Sequence, residues 1–216
     1  MKLLWSPRSP YVRKVMIAAH ETGVADRLDL VRLPASFAAV PTDELLAINP
    51  LGKIPALISE DGEAIYDSGV ICFYLDGLHG GRRLVPAGEE LWHLRWQALA
   101  DGVLERLIGL QVEHMRPNGP WPVVIDAATA KIAASLDAAA RDLHGLDARP
   151  FGLAALSLVA ALGHLDFRFE DCGWRTRWPD LASWADRQDA RASVAATRPR
   201  DEEGSAAPRV LLDLRR

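Results

Sequence analysis

Asn49-Pro50-Leu51-Gly52-Lys53-Ile54-Pro55-Ala56-Leu57, followed ten residues later by Asp67-Ser68, is the stretch on which the reading of this chain turns. Pro55 opens an apolar run, where a proline has no amide to give to a neighbouring strand. In the cis form it turns the Ile54 backbone outward, toward an extended peptide lying alongside. Asp67-Ser68 begins a helix-patterned segment, and a carboxylate and a hydroxyl at a helix start can hold an amino group and a carboxylate. A groove lined in this way suits a small zwitterionic peptide. The plainer reading of Asp67-Ser68 is a pair that only caps its helix.

The surrounding segments supply a frame for that groove. Lys2–Trp5 reads as a strand, and Pro10–Glu21 as a helix with Val12, Val15, Met16 and Ala19 on one face. Leu28–Leu33 is a second strand and Thr42–Ala47 a short helix capped by Thr42. Ala56–Ser59 and Ala64–Ile65, joined through Asp61-Gly62, form a hairpin, and Ser68–Leu78 closes the unit as a helix. The order β-α-β-α-β-β-α predicts an α/β thioredoxin-like domain over residues 1–78. Residues 79–88, with three glycines, read as a linker. From 89 to 197 the periods are helical throughout, which predicts an all-α helical bundle. Its helices are expected at Glu89–Met115 (with Leu91, Leu94, Leu99, Val103, Leu107 and Leu110 facing inward), Pro122–Leu143, Leu153–Phe167 and Pro179–Ala190. Residues 198–216 are expected to be a flexible tail, with Val210–Leu214 either packed back or only partly ordered.

Composition excludes several classes. A net charge of −4 over 216 residues offers no basic field for nucleic acid or an anionic membrane. No apolar run reaches the ~18 residues of a spanning helix, and Met1-Lys2 runs straight into Leu3-Leu4-Trp5, so a soluble cytoplasmic protein is expected. Cys72 and Cys172 are far apart with no CxxC, which excludes a disulfide scaffold or zinc cluster. Cys72 reads as a small buried hydrophobe, whereas Cys172, in a polar turn, is expected within reach of oxidants. The six histidines form no metal-binding spacing, so no metal is expected. Most of the seven tryptophans should be packing, with one or two from the long helix walling an apolar site.

Read with Ser6-Pro7-Arg8-Ser9-Pro10-Tyr11, these motifs resemble the glutathione-site motifs of the cytosolic glutathione S-transferases. The segments Gly163–Phe169 and Trp178-Pro179-Asp180-Leu181 look like a bacterial subgroup of that family, with a serine-type N-terminal site. The resemblance implies glutathione as cosubstrate, a small hydrophobic electrophile as second substrate, and a homodimer. It also assigns roles. Lys53 takes the glycine carboxylate, the Ile54 backbone pairs with the cysteinyl residue beside a cis Pro55, Asp67 takes the γ-glutamyl ammonium and Ser68 its carboxylate. Ser9 holds the thiolate and is the catalytic residue. Ser6 is the alternative hydroxyl, and Tyr11 either lines the pocket or packs.

Physical chemistry gives Ser9 a task. As the residue before Pro10 it is first of all a helix cap. A thiol with a pKa of ~8.5 is only about 3% ionised at pH 7, and a shift of ~2 units, about 2.7 kcal/mol, makes the thiolate the majority form. A hydroxyl donor at a positive helix end supplies energy of that order. Where some members of the family carry cysteine this chain has serine, which favours thiolate stabilisation over thiol transfer. Two other readings remain: a non-catalytic interaction protein on the transferase fold, and a glutathione-dependent thiol transferase. One departure concerns folding. Where the family begins its buried helix with Ser or Thr and an Asp three residues on, this chain has Gly152 and Ala155, which forgoes a capping box worth about 1 kcal/mol.

Overall fold

The alternating pattern at the N-terminus places Leu3 and Leu4 on opposite faces of one strand, and both are buried. In the computed structural model, which describes residues 1–202, 210 and 212–215, this strand is β1 (Lys2–Trp5). Helix α1 (Pro10–Glu21) leads to β2 (Asp29–Arg32), which pairs parallel to β1 with Leu3 opposite Leu30. Helix α2 (Asp43–Ile48) then leads to β3 (Ala56–Ile58) and β4 (Ala64–Ile65). Strand β3 runs antiparallel to β1 and to β4, which gives a four-stranded sheet in the order β2-β1-β3-β4. Leu3 and Leu57 face α1 and α3 (Ser68–Asp76) in the main core, while Leu4 and Ala56 face Leu33 and Leu45 on the other side. This is a thioredoxin-like sheet domain.

Asp76 fastens the chain as it leaves that domain. Its buried carboxylate accepts from the Leu84 and Val85 amides at 2.6 and 3.2 Å, and Arg83 donates to its carbonyl. Leu84 and Val85 are buried, so the expected linker is anchored at its centre. Among the described residues seven helices follow: α4 (Glu90–His114), α5 (Pro122–Arg141), α6 (Leu143–Asp147), α7 (Leu153–Arg168), α8 (Trp174–Arg177), α9 (Pro179–Asp189) and α10 (Ala192–Ala196). The short helices α6, α8 and α10 did not stand out in the sequence, because four or five residues carry too little period to read. No helix among the described residues is long and apolar enough to cross a membrane.

Helix α7 is the axis of this second part, packed along α4 and against α1. Helix α1 is therefore enclosed on several sides, by α3, α7 and α10, and buries Arg13 and Lys14 along with its apolar residues. Lys14, fully buried, donates to both carboxylate oxygens of Asp101 on α4 at 2.7 and 2.8 Å, an ion pair that ties the two halves together.

Three expectations are corrected here. Leu91 and Leu94 are exposed, and the inward face of α4 carries His93, Trp96 and Ala100 instead. Cys172 is buried, with its thiol pushed up by desolvation, and its carbonyl accepts from the Leu214 amide at 2.7 Å. The tail expected to be flexible over 198–216 is tied down at Asp201 and Glu202, and at its described far end it takes the packed-back alternative that the sequence left open. Val210, Leu212 and Leu214 are buried, while Asp201 pairs with Arg168 and Glu202 with Arg32. The remainder of that expectation, residues 203–209, 211 and 216, lies outside the described residues.

Candidate active site

The β1–α1 loop, the Lys53–Pro55 segment and one face of α4 meet around two adjoining cavities. The first, of about 320 Å³, is lined by Ser6, Ser9 and Ile54. The second, of about 400 Å³, is lined by Tyr11, Lys53, Pro55, Asp67 and Ser68. Phe37, Lys53, Ile54, Ile108 and Val112 border both, so the two cavities lie side by side in the cleft between the sheet domain and α4.

Each sequence-predicted residue has a definite place in it. Ser9 has extended backbone and its Oγ accepts from the Val12 amide at 3.3 Å, capping α1. That bond uses the hydroxyl as acceptor, so its proton remains available to an acceptor in the cleft. Ser6 lines the same cavity and accepts from the Arg8 amide at 3.4 Å, but it stands before the helix rather than at its positive end. The Ile54–Pro55 bond is cis, as is Tyr66–Asp67. Asn49 holds the approach to that proline, donating to the Lys53 carbonyl at 2.7 Å and accepting from the Leu51 amide at 3.0 Å. The Lys53 side chain is exposed and stands 5.9 Å over the Phe37 ring.

Asp67 caps α3 through one oxygen: Oδ1 accepts from the Gly69 and Val70 amides at 2.9 and 3.4 Å. No hydrogen bond involves Oδ2 among the described residues, so the capping role leaves half of the carboxylate for a ligand. Ser68 beside it is buried. Gly69 lets α4 approach closely: a β-carbon there would stand 1.9 Å from the Gln97 Nε2, and that side chain would have to swing away. Tyr11 both packs against the core and lines the cleft. Burial pushes its phenol well above the usual range, with Asp101, Glu105 and Asp67 adding to the shift, so it stays protonated.

Other wall residues escaped the sequence reading. Asp101, Glu105, Ile108 and Val112 line the second cavity at helical spacing, a second stripe on α4 that the period could have shown once the first was set aside. The expected tryptophan wall is absent from both cavities: Trp96 is buried in the core, and α4 presents Ile108, Gln111 and Val112 instead, with Met115 just past its end. His164 of α7 also lines the first cavity. Desolvation holds its imidazole at a pKa of about 3, with Arg168 and Arg13 adding to the effect, so it is neutral there. No group of three or more potential metal ligands occurs among the described residues.

The fold and this cleft define a transferase-like two-domain protein, and comparison with known sequences and structures places it. A model of the glutathione S-transferase N-terminal domain matches residues 8–78. The Escherichia coli (strain K12) protein YibF, named as an uncharacterized GST-like protein, is 30% identical over 204 residues, covering 92% of this chain and 98% of its own. A glutathione transferase family member from Pseudomonas fluorescens Pf-5, solved with bound glutathione, is 39% identical and superposes with a TM-score of 0.88 over 93% of this chain and 99% of that one. A second structure from the same source, with S-(propanoic acid)-glutathione bound, is 38% identical, with a TM-score of 0.84 over 93% of this chain and all of that one (100%). This chain belongs to the glutathione S-transferase family.

Proposed function

We propose that the protein is a glutathione transferase that joins the glutathione thiolate to a small electrophile, with Ser9 as the hydroxyl that holds the thiolate. The observation that carries this reading is the pair of adjoining cavities, with Ser9 lining one, Asp67 and Ser68 the other, and Lys53 and Ile54 bordering both. Glutathione lies across it in an extended form. Its γ-glutamyl end meets Asp67 Oδ2 and Ser68, its cysteinyl backbone pairs with Ile54, and its glycine carboxylate reaches Lys53. Ser9, which already accepts a backbone amide, donates its remaining proton to sulfur. The Pseudomonas structures with glutathione and its S-conjugate support this occupant. Thiol transfer through a protein cysteine is disfavoured, because Cys72 and Cys172 are buried and burial pushes the Cys72 thiol up to about 12.

The same reading makes the protein a cytoplasmic detoxification enzyme acting as a homodimer. Val70 and Phe73 of α3 and Leu91 and Leu94 of α4 are exposed apolar residues near the point where Gln97 crosses Gly69, a face suited to a second copy. The direct test is calorimetric titration with glutathione of the native chain and of Asp67→Ala. Micromolar to millimolar binding that Asp67→Ala weakens about tenfold or more supports the reading. No binding by the native chain overturns it and leaves a fold without its ligand. Sedimentation should give a species of twice the chain mass, and a monomer alone would remove the dimer.

A further inference from the structure

The first cavity carries an uneven set of charges. Arg8, Lys53 and Arg168 line it, and among the described residues no carboxylate does. His164 adds none, since burial keeps it neutral. Lys53 has its task at the glycine end of glutathione under the reading above, which leaves two arginines beside Ser9. The chain's own tail shows what they attract. Arg168, nearly buried, donates from both Nη atoms to Asp201 at 3.0 and 2.7 Å, a fork-to-carboxylate pair. Arg8 has only a loose approach, its Nε 3.8 Å from Glu202, and its guanidinium makes no hydrogen bond among the described residues. Glu202 is held principally by Arg32, at 2.7 Å from both Nε and Nη2. The Arg200 amide donates to the Pro7 carbonyl at 3.3 Å, so residues 200–202 lie across the mouth of the β1–α1 loop.

We propose that this cavity selects an electrophile bearing a carboxylate, received by Arg8 and Arg168 where Asp201 and Glu202 now stand. The proposal rests on the transferase reading and names the substrate class of its second site. Asp201 and Glu202 are internal stand-ins that reveal the preferred chemistry. Their side chains are 41% and 34% exposed, so both carboxylates stand within reach of solvent and of a competing ligand. Arginine suits the task because its planar fork matches a carboxylate in two hydrogen bonds. The apolar walls of Ile108, Val112 and Met115 accept the body of the same molecule. In the reaction, the glutathione thiolate forms a C–S bond at the electrophilic carbon and the leaving group departs with the bonding pair. The thiol proton goes to solvent, and the carboxylate stays ionised throughout.

The test uses two glutathione conjugates that differ in one group, S-(4-carboxybenzyl)glutathione and S-benzylglutathione, titrated calorimetrically into the full chain. The carboxylated conjugate should bind about tenfold more tightly. Arg168→Met or Arg8→Met should collapse that ratio toward one, and the Asp201→Asn, Glu202→Gln double variant should widen it by freeing the arginines. Turnover offers an independent arm: 4-(chloromethyl)benzoate should exceed its methyl ester in kcat/KM by a similar factor, each rate divided by its rate without protein. Equal affinities, or a preference for the benzyl conjugate, overturn the proposal from the native chain alone and leave the transferase reading standing. If neither conjugate binds and glutathione does not bind, both fall together.

Discussion

Two kinds of helix start divide this molecule. Helices α1 and α3 are capped by their own flanking residues: Ser9 accepts from Val12, and Asp67 from Gly69 and Val70. Helix α7 has no such cap. Gly152 offers no side chain, and the two amides that follow are satisfied from elsewhere: Leu153 donates to the Leu84 carbonyl at 3.0 Å and Ala154 to His93 Nδ1 at 3.2 Å. That bond requires a lone pair on Nδ1, which places the ring proton on Nε2, 3.9 Å from Glu89. The missing capping box is thus replaced by two partners distant in the chain. Locally capped helices carry the site, where a cap's spare donor or oxygen is free for a ligand. The remotely capped helix begins in the core, where the same need is met by packing the linker and α4 against it, and reaches the cleft only at its far end, through His164 and Arg168.

The contrast can be broken at several points. The largest effect is expected at Asp101→Ala, which leaves Lys14 buried and charged between α1 and α4. Stranding one partner of a buried pair costs about 3–5 kcal/mol, read as a lower midpoint in urea with an unchanged slope. Gly152→Ser comes next, and here the two capping modes predict opposite signs. By the local rule a serine adds a cap. In this structure its β-carbon would stand 2.4 Å from the Leu84 carbonyl oxygen and 3.0 Å from His93 Cε1. The substitution should therefore destabilise by about 1–3 kcal/mol, and a stabilised variant would show that α7 can accept a local cap after all.

Acid sharpens the same contrast. His164 is buried with a folded pKa of about 3, depressed below its unfolded value of 6.5, so the folded state prefers the neutral ring. Its contribution is fully present above pH 6.5 and is lost as pH falls toward 3. At pH 5 the loss should reach about 2 kcal/mol, and His164→Gln should flatten that part of the stability profile. Burial depresses His93 as well, and its protonation removes the lone pair that caps α7, so the two act in the same direction. Unfolding midpoints at pH 7 and pH 5 that coincide would contradict both assignments. The smallest stability effects belong to the local caps: Asp67→Ala and Ser9→Ala should each cost about 1 kcal/mol.

This division also explains what could be read from the sequence. The order of strands and helices, the Asp61-Gly62 hairpin, the Ser9 and Thr42 caps and the Asp67-Ser68 start were legible because each depends on residues within a few positions. The burial of Lys14 was not, since a lysine at helical spacing reads as solvated until α4 is known to lie across it. The His93 cap spans 61 residues and has no local signature. Leu91 and Leu94 fit the helical period of α4 yet face outward, because a helix of 25 residues offers more than one apolar stripe and the sequence does not say which is covered. The cleft was legible along the edge formed by Ser9, Lys53–Pro55 and Asp67-Ser68, where turn and cap residues define it. It was dark on the α4 and α7 side, where Ile108, Gln111 and His164 arrive through tertiary packing.

The central claim is that Ser9, a helix cap, lends its hydroxyl proton to a bound thiolate. Titrating the thiolate absorbance of glutathione bound to the native chain, to Ser9→Ala and to Ser6→Ala tests it most directly. The native complex should ionise well below the ~8.5 of a free thiol, Ser9→Ala should return the transition toward that value, and Ser6→Ala should leave it low. Conjugation by Ser9→Ala should slow about tenfold for each 1.36 kcal/mol of thiolate stabilisation lost. A shift produced by Ser6→Ala and not by Ser9→Ala, or by neither, would contradict the assignment.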